Sequence, residues 1–355
     1  MTAIRTKRKA KALLSSATAF AVSTFVAASA EATAPASLAR VPPAAIPAVI
    51  DPVEDLGRQA PGPQPTWSDS IRLTGSVRAN GQEFGIQVRT RALPGEAAYR
   101  WTFAVVNKKT GWYEDYDATV KPEDFRWAEG RLDIKAPGLS WTGDANRQRV
   151  QVETPWGALD VRLVANGPAL NYASIGLYEL ADGVSNHQFA LPEMRTSGTL
   201  TVEGKRHQVT GACWVDRQWG EMPRSLVRRT WMSLTMPNGD KIAIWDTVGA
   251  TSRRSWATVL HPDGSYEVVG VEPLERGVRQ TWTSRATRQT YPTRWRVRIP
   301  ALRADLDVRI VGTPDQELRT PDGSGCLAAA AAFTGTYRGQ RVGGDNHVEM
   351  TGEWK

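Results

Sequence analysis

Residues 83–90 read EFGIQVRT, and Phe84, Ile86 and Val88 alternate there with Glu83, Gln87 and Arg89. Successive side chains of an extended chain point to opposite faces, so this period of two predicts a strand with one apolar face. Residues 158–165, ALDVRLVA, repeat the pattern with Leu159, Val161 and Leu163. Hairpin signals punctuate such runs: Asn80-Gly81, Pro94-Gly95, Asn166-Gly167, Glu203-Gly204, Asn238-Gly239 and Asp263-Gly264. No convincing segment longer than about a dozen residues keeps the helical period, and KPEDFRW at 121–127 predicts only a single turn. Many short strands joined by hairpins predict an all-β chain of the sandwich or barrel type. A length of 355 residues leaves room for two such units, with a boundary placed between Pro192 and Ser197. A faint internal echo agrees with two units. VEGKRHQVTGACWVD (202–216) and YRGQRVGGDNHVEMTG (337–352) both run from glycine and basic residues into an apolar strand that carries an acid.

The amino end reads differently. Arg5, Lys7, Arg8, Lys9 and Lys11 precede an apolar, small-residue run from Ala12 to Ala28, and Ala28-Ser29-Ala30 has the form of a cleavage site. Residues 1–30 are therefore expected to be a signal peptide, with the mature chain starting near Glu31 and secreted or held at the cell envelope. Five of the charges behind the formal +7 lie in this segment, which contains no acid, so the remainder carries +2. That weak balance removes the main support for nucleic-acid binding. Arginines cluster in RRSW, RQTWTSRATR and RWRVR, but there they alternate with apolar residues as solvated strand faces do. Residues 31–66 are rich in Pro and Ala and read as a linker, or as an arm lying over the body. Cys213 and Cys326 permit one disulfide in an exported chain and are equally compatible with two buried thiols. The two cysteines and four scattered histidines show no metal-ligand spacing, so neither a zinc site nor another cofactor is expected.

The chemistry concentrates in GACWVDRQWGEM, 211–222. Alternation puts Trp214 and Asp216 on one face, and Cys213, Val215 and Arg217 on the other. If the first face lines a barrel cavity, desolvation raises the Asp216 carboxyl and makes it a proton or hydrogen-bond donor near neutral pH. If it faces water, Asp216 is an ordinary partner for Arg217 or another arginine. Fourteen tryptophans, Trp219, Trp231 and Trp245 among them, predict an aromatic interior. Near the carboxyl end, alternation groups His347, Glu349 and Thr351 on one face, which makes Glu349 a second candidate acid.

The run NHQFALPEMRTSGTLTVEGKRHQVTGACWVDRQWG (186–220), with WMSLTMPNGDKIAIWD (231–246) and YRGQRVGGDNHVEMTGEW (337–354), resembles the lipocalin-like family of carotenoid hydratases, secreted AttH-type proteins and Diels-Alder-type polyketide cyclases. The resemblance implies two tandem lipocalin-like antiparallel β-barrel domains, at 67–194 and 195–355, with an apolar ligand cavity inside or between them. In the hydratases a catalytic Asp lies in Tyr-x-Asp-His-Asn, with His-x-Trp upstream. Carried onto this chain, the Asp is Asp216, its Tyr position holds Trp214, the His is His187, and the Trp position holds Phe189. Arg217-Gln218 stand where His-Asn is usual.

The resemblance thus makes Asp216 and His187 the candidate catalytic residues, with Trp214, Phe189, Gln218, Trp231 and Glu349 against the substrate. Three functions are compatible with such a site, and each has a hydrophobic small molecule as its partner. The first is cyclisation of a folded polyene, polyketide or terpenoid, in which shape does most of the work. The second is acid-catalysed hydration of an alkene, and the third is carriage of a lipid without reaction. The departure after Asp216 places cyclisation first. Peripheral contact with a membrane is compatible with all three.

Overall fold

In the computed structural model, the alternating runs become strands of two antiparallel sheets. It describes residues 49–63, 66–92, 99–222, 226–319, 323 and 325–354. The first sheet holds β1 (Trp67–Ala79), β2 (Gln82–Ala92), β3 (Tyr99–Asn107), β4 (Tyr113–Val120), β5 (Arg126–Trp127), β6 (Leu132–Ala136), β7 (Leu139–Gly143), β8 (Arg147–Glu153), β9 (Gly157–Ala165), β10 (Leu170–Asn171), β11 (Leu177–Glu179), β12 (Ser185–Val202) and β13 (Lys205–Glu221). The second holds β14 (Arg228–Thr235), β15 (Lys241–Val248), β16 (Arg253–Leu260), β17 (Tyr266–Gly270), β18 (Val278–Thr283), β19 (Thr290–Ile299), β20 (Ala304–Ile310), β21 (Glu317–Arg319), β22 (Gly325–Tyr337) and β23 (Gln340–Gly352). Helical structure among the described residues is confined to short 3-10 turns, including the expected one at Pro122–Asp124.

Both sheets follow one plan. Four strands run as a meander, and the last strand of the unit returns to pair with the first: β13 with β1, and β23 with β14. The two hairpins that echo each other in sequence, β12–β13 and β22–β23, therefore hold corresponding central positions. In the first sheet β3 and β7 lie on opposite wings, yet Trp101 and Trp141 join one buried core with Phe84, Ile86 and Val88, so the sheet curls on itself. The second sheet does the same around Trp295, Met232 and Ile244. Truncating Trp101, Trp141, Trp295 or Phe84 to alanine is expected to cost about 3–5 kcal/mol.

The crossing between sheets comes after Glu221 and before Arg228. Residues 192–197, where the sequence placed the boundary, lie inside β12, which stays paired to β13 on one side and β9 on the other. The Pro192 that suggested a break coincides with a register shift between Leu191 and Met194, a local irregularity that lets the strand continue.

A third apolar cluster lies between the outer faces of the two curled sheets, in a seam built from Trp214 of β13, Trp231 of β14, Trp245 of β15 and the segment 170–184. The sheets touch where Gly85 of β2 meets Ala330 of β22. A Cβ on Gly85 would lie 2.7 Å from the Ala330 Cβ and 2.8 Å from Val106 Cγ1. The alanine run of β22 serves both sides, with Ala329 and Ala331 in the second core and Ala328 and Ala330 toward the seam.

The described part of the amino-terminal arm does lie over the body. Ile50 and Leu56 enter the first core, and Arg217 donates to the carbonyls of Asp55 (2.9 Å) and Gly57 (2.7 Å). The expected signal peptide, the arm before residue 49 and the Pro94-Gly95 turn fall outside the described residues. Cys213 and Cys326 are buried and unbonded, and burial pushes each thiol up to about 12. No helix among the described residues is long and apolar enough to cross a membrane.

Candidate functional site

Strand alternation places Asp216 as expected relative to its neighbours. Cys213 and Val215 point into the first core, while Trp214 points outward with Asp216 and Gln218. The wall they form is the outer face of the first sheet, turned toward the second, so Asp216 lies in the seam between the two sheets. Arg217 takes the opposite face and pairs with Asp69, with its guanidinium over the Trp127 and Trp219 rings. It is therefore not the partner of Asp216.

That partner is Arg72, which sits opposite Asp216 in the β1–β13 register and donates from Nη2 to Oδ2 at 3.2 Å. Oδ1 accepts from the Tyr172 hydroxyl at 2.7 Å and from Gln188 Nε2 at 3.1 Å. Around this carboxyl the hydrogen bonds continue into a second layer. Trp231 Nε1 donates to the Tyr172 oxygen (2.8 Å), and Gln188 Oε1 accepts from Tyr178 (2.6 Å) and from Trp245 Nε1 (3.1 Å). Gln218 Nε2 donates to the Tyr178 oxygen at 3.0 Å. Tyr172 and Tyr178 come from the segment between β9 and β12, which is fastened to the second sheet by Asn171 N–H to the Tyr266 hydroxyl (3.0 Å) and Ala173 N–H to Thr258 (2.9 Å). Ala173 and Ser174 adopt positive φ there, 50° and 70°, and the bend carries the Tyr172 ring into the seam.

Arg72 also pairs with Glu349 of β23, lies 4.0 Å over the Trp231 ring, and so bridges the acids of the two echoing hairpins. Arg89 reaches Glu349 at 3.3 Å, and Arg229, held by Thr351 at 2.9 Å, adds its charge nearby.

Burial acts on both acids in the same sense, but their surroundings separate them. Burial raises Asp216 above the usual carboxylate range, a rise that Arg72 and the Tyr172 hydrogen bond only partly oppose. For Glu349, burial is outweighed by Arg72, Arg89 and Arg229, which hold it well below that range. His347 beside it is pulled down to about 3 by burial and by Arg72, so its imidazole is neutral. Burial and Asp216 raise the Tyr172 and Tyr178 phenols well above their ordinary value, so both remain donors.

Of the seven residues singled out in the sequence, Asp216, Trp214, Gln218, Trp231 and Glu349 meet in this seam. Trp214 packs edge-on against Trp231, with ring centroids 6.3 Å apart. His187 and Phe189 do not join them. They sit on the other face of β12, where His187 stacks on Trp219 at 5.2 Å and Phe189 is buried in the first core. A strand's two faces differ by one residue, and the side chain that reaches Asp216 is Gln188, between them. Arg72, Tyr172 and Tyr178 carried no sequence signal. They come from distant segments, and only the return of β13 onto β1 places Arg72 opposite Asp216.

Residues 72–353 match the AttH-like family. The chain belongs to the AttH-like family. No curated protein matches the sequence. Among solved structures, this AttH-like chain is similar to kievitone hydratase from Nectria haematococca, at 20% identity and a TM-score of 0.73, over 86% of this chain and 94% of that one. It is similar to an AttH protein from Nitrosomonas europaea at 20% identity and a TM-score of 0.71, over 88% and 100%. CghA with Sch210972 follows at 14% identity and a TM-score of 0.60, over 88% and 95%. At these identities the likeness establishes the fold, with its two tandem lipocalin-like units, and the seam residues carry the functional argument.

Proposed function

We propose that this protein is an enzyme that adds water to a carbon–carbon double bond of an apolar, unsaturated small molecule, with Asp216 as the proton donor. The observation that carries this is the separation of two acids in one buried seam: Asp216 is pushed toward its protonated form, and Glu349 is held ionised. Such a pair assigns acid and anion by environment. The protonated carboxyl of Asp216 gives its proton to one alkene carbon, and the other carbon becomes cationic. The faces of Trp214 and Trp231 stabilise that cation, water adds to it, and the Asp216 carboxylate takes the proton the water releases. Tyr172 and Gln188 orient the carboxyl, while Glu349 fixes Arg72 without taking part in proton transfer.

This reading is supported, in fold only, by the likeness to kievitone hydratase. It reverses the order drawn from sequence, which put cyclisation first. Cyclisation is favoured by the aromatic walls, Tyr172, Tyr178, Trp245 and Trp256, which could fold a polyene. Export to the envelope, where an apolar substrate would partition, is part of the proposal.

The test is untargeted mass spectrometry of producing cells: wild type, gene deletion, and an Asp216→Asn strain. Hydration predicts that both mutants accumulate a precursor lighter than the lost product by one water. A precursor of identical mass would mean cyclisation or isomerisation, and no accumulated precursor would leave a carrier.

A further inference from the structure

The seam continues past the Arg72–Glu349 pair into a crevice between β2, β3 and β4 of the first sheet and β22 and β23 of the second, floored by Gly85, Ala104 and Ala330. Its walls are small and apolar, yet three polar side chains enter it with buried atoms lacking any hydrogen-bond partner: both amide atoms of Gln87, the Tyr113 hydroxyl and His347 Nε2. Gln87 is 2% exposed and His347 7%. A buried polar atom left unpaired costs about 1–3 kcal/mol, so three such groups converging on one space mark a place where something polar binds. The free space holds about one water molecule.

We infer that Gln87, Tyr113 and His347 form a binding site for a single neutral oxygen, either a water or a hydroxyl or carbonyl group of the apolar ligand itself. The inference deepens the hydratase reading by giving the seam a second polar contact beyond Asp216. The charge environment selects neutrality. Arg72 and Glu349 act on His347 with opposite charges, and Asp115 and Asp315 add negative charge near Tyr113, so neither an anion nor a cation is matched by its surroundings. The groups present supply both senses of hydrogen bond. The amide of Gln87 donates and accepts. The Tyr113 phenol stays protonated, raised by burial and then by Asp115, and the neutral His347 ring is pulled down by burial.

The experiment is crystallography of the full chain, unsoaked and soaked with 2-naphthol or naphthalene, with calorimetry of both compounds on wild type and on Gln87→Met/Tyr113→Phe. An ordered water bridging Gln87, Tyr113 and His347 that persists under 2-naphthol supports the water source. The naphthol oxygen in that position supports the ligand source, and the preference for 2-naphthol over naphthalene then falls roughly tenfold in the double variant. The inference is overturned if no oxygen occupies the crevice in any crystal. None of these readouts needs turnover, so failure of the acid mechanism at Asp216 and failure of this site are seen separately.

Discussion

Replacing Arg72 by methionine tests whether the seam is held by the arrangement described. Arg72 is 7% exposed, donates to Asp216 at 3.2 Å, pairs with Glu349 and stacks on Trp231. Breaking a buried ion pair by removing one partner costs about 3–5 kcal/mol, because a charge is left uncompensated. Glu349 would keep Arg89 and Arg229, and methionine would keep most of the packing on Trp231. Asp216 would lose its cation, but a carboxyl already pushed toward its protonated form leaves little uncompensated charge behind. These compensations place the expected cost at the lower end, about 3 kcal/mol at pH 7. The assay is urea unfolding followed by tryptophan fluorescence, together with Asp216→Asn and the double variant. Since the two residues touch, the double variant should be more stable than the sum of the single effects predicts, by about 1 kcal/mol or more. A loss below about 1 kcal/mol for Arg72→Met, or strict additivity, would refute the reasoning, because either would mean that the guanidinium is not compensating a buried charge.

Other outcomes follow from the same structure. Gly85→Ala should destabilise by about 1–3 kcal/mol through overpacking at the sheet contact, and adding Ala330→Gly should recover a good part of it, as read by thermal unfolding. Asp240 accepts from Tyr337 (2.6 Å) and Asn238 (2.9 Å) and faces His261 Nδ1 (2.8 Å); burial would raise it, but these hydrogen bonds bring it down to about 2. A lowered carboxyl contributes stability that is present above its unfolded value near 4 and lost as pH falls toward 2. Asp240→Asn should therefore cost about 2 kcal/mol at pH 7, with the gap closing over that window in urea titrations. Asp182 holds the β15–β16 turn by accepting from the N–H groups of Ala250 (2.6 Å), Thr251 (3.1 Å) and Ser252 (2.8 Å). Asp182→Ala should speed hydrogen exchange at those three amides and leave the core of β14 unchanged; no change at the turn would contradict the latch.

The fold was legible because local rules govern it. Period-two runs such as 83–90, and glycine turns such as Glu203-Gly204, specify strands and hairpins without long-range information. The internal echo was a real correspondence between β12–β13 and β22–β23, and it placed the two acids of the seam on matching strands. The boundary between units was misplaced because a proline in a strand reads as a break, whereas β12 absorbs Pro192 with a register shift. The site was legible only in part. Alternation fixed the face of Asp216 but could not say whether that face turned inward or toward a second sheet. The match of His187 and Phe189 to a family motif fell one residue from the side chain that reaches the acid, which in a strand means the opposite face. Arg72 and Tyr172 depend on pairing between segments 144 and 44 residues from Asp216, a closure that no local pattern encodes.

On the proposed mechanism the seam holds Asp216 as a proton donor. The most direct test is the carbon-13 carboxyl titration of the wild-type protein, with Asp216→Asn identifying the resonance. The Asp216 carboxyl is expected to titrate above the ordinary aspartate value near 3.9. A further rise is expected in Arg72→Met, where the opposing cation is gone. An Asp216 carboxyl that titrates at or below 3.9 would contradict the account, because the residue would then be an ordinary ionised partner of Arg72.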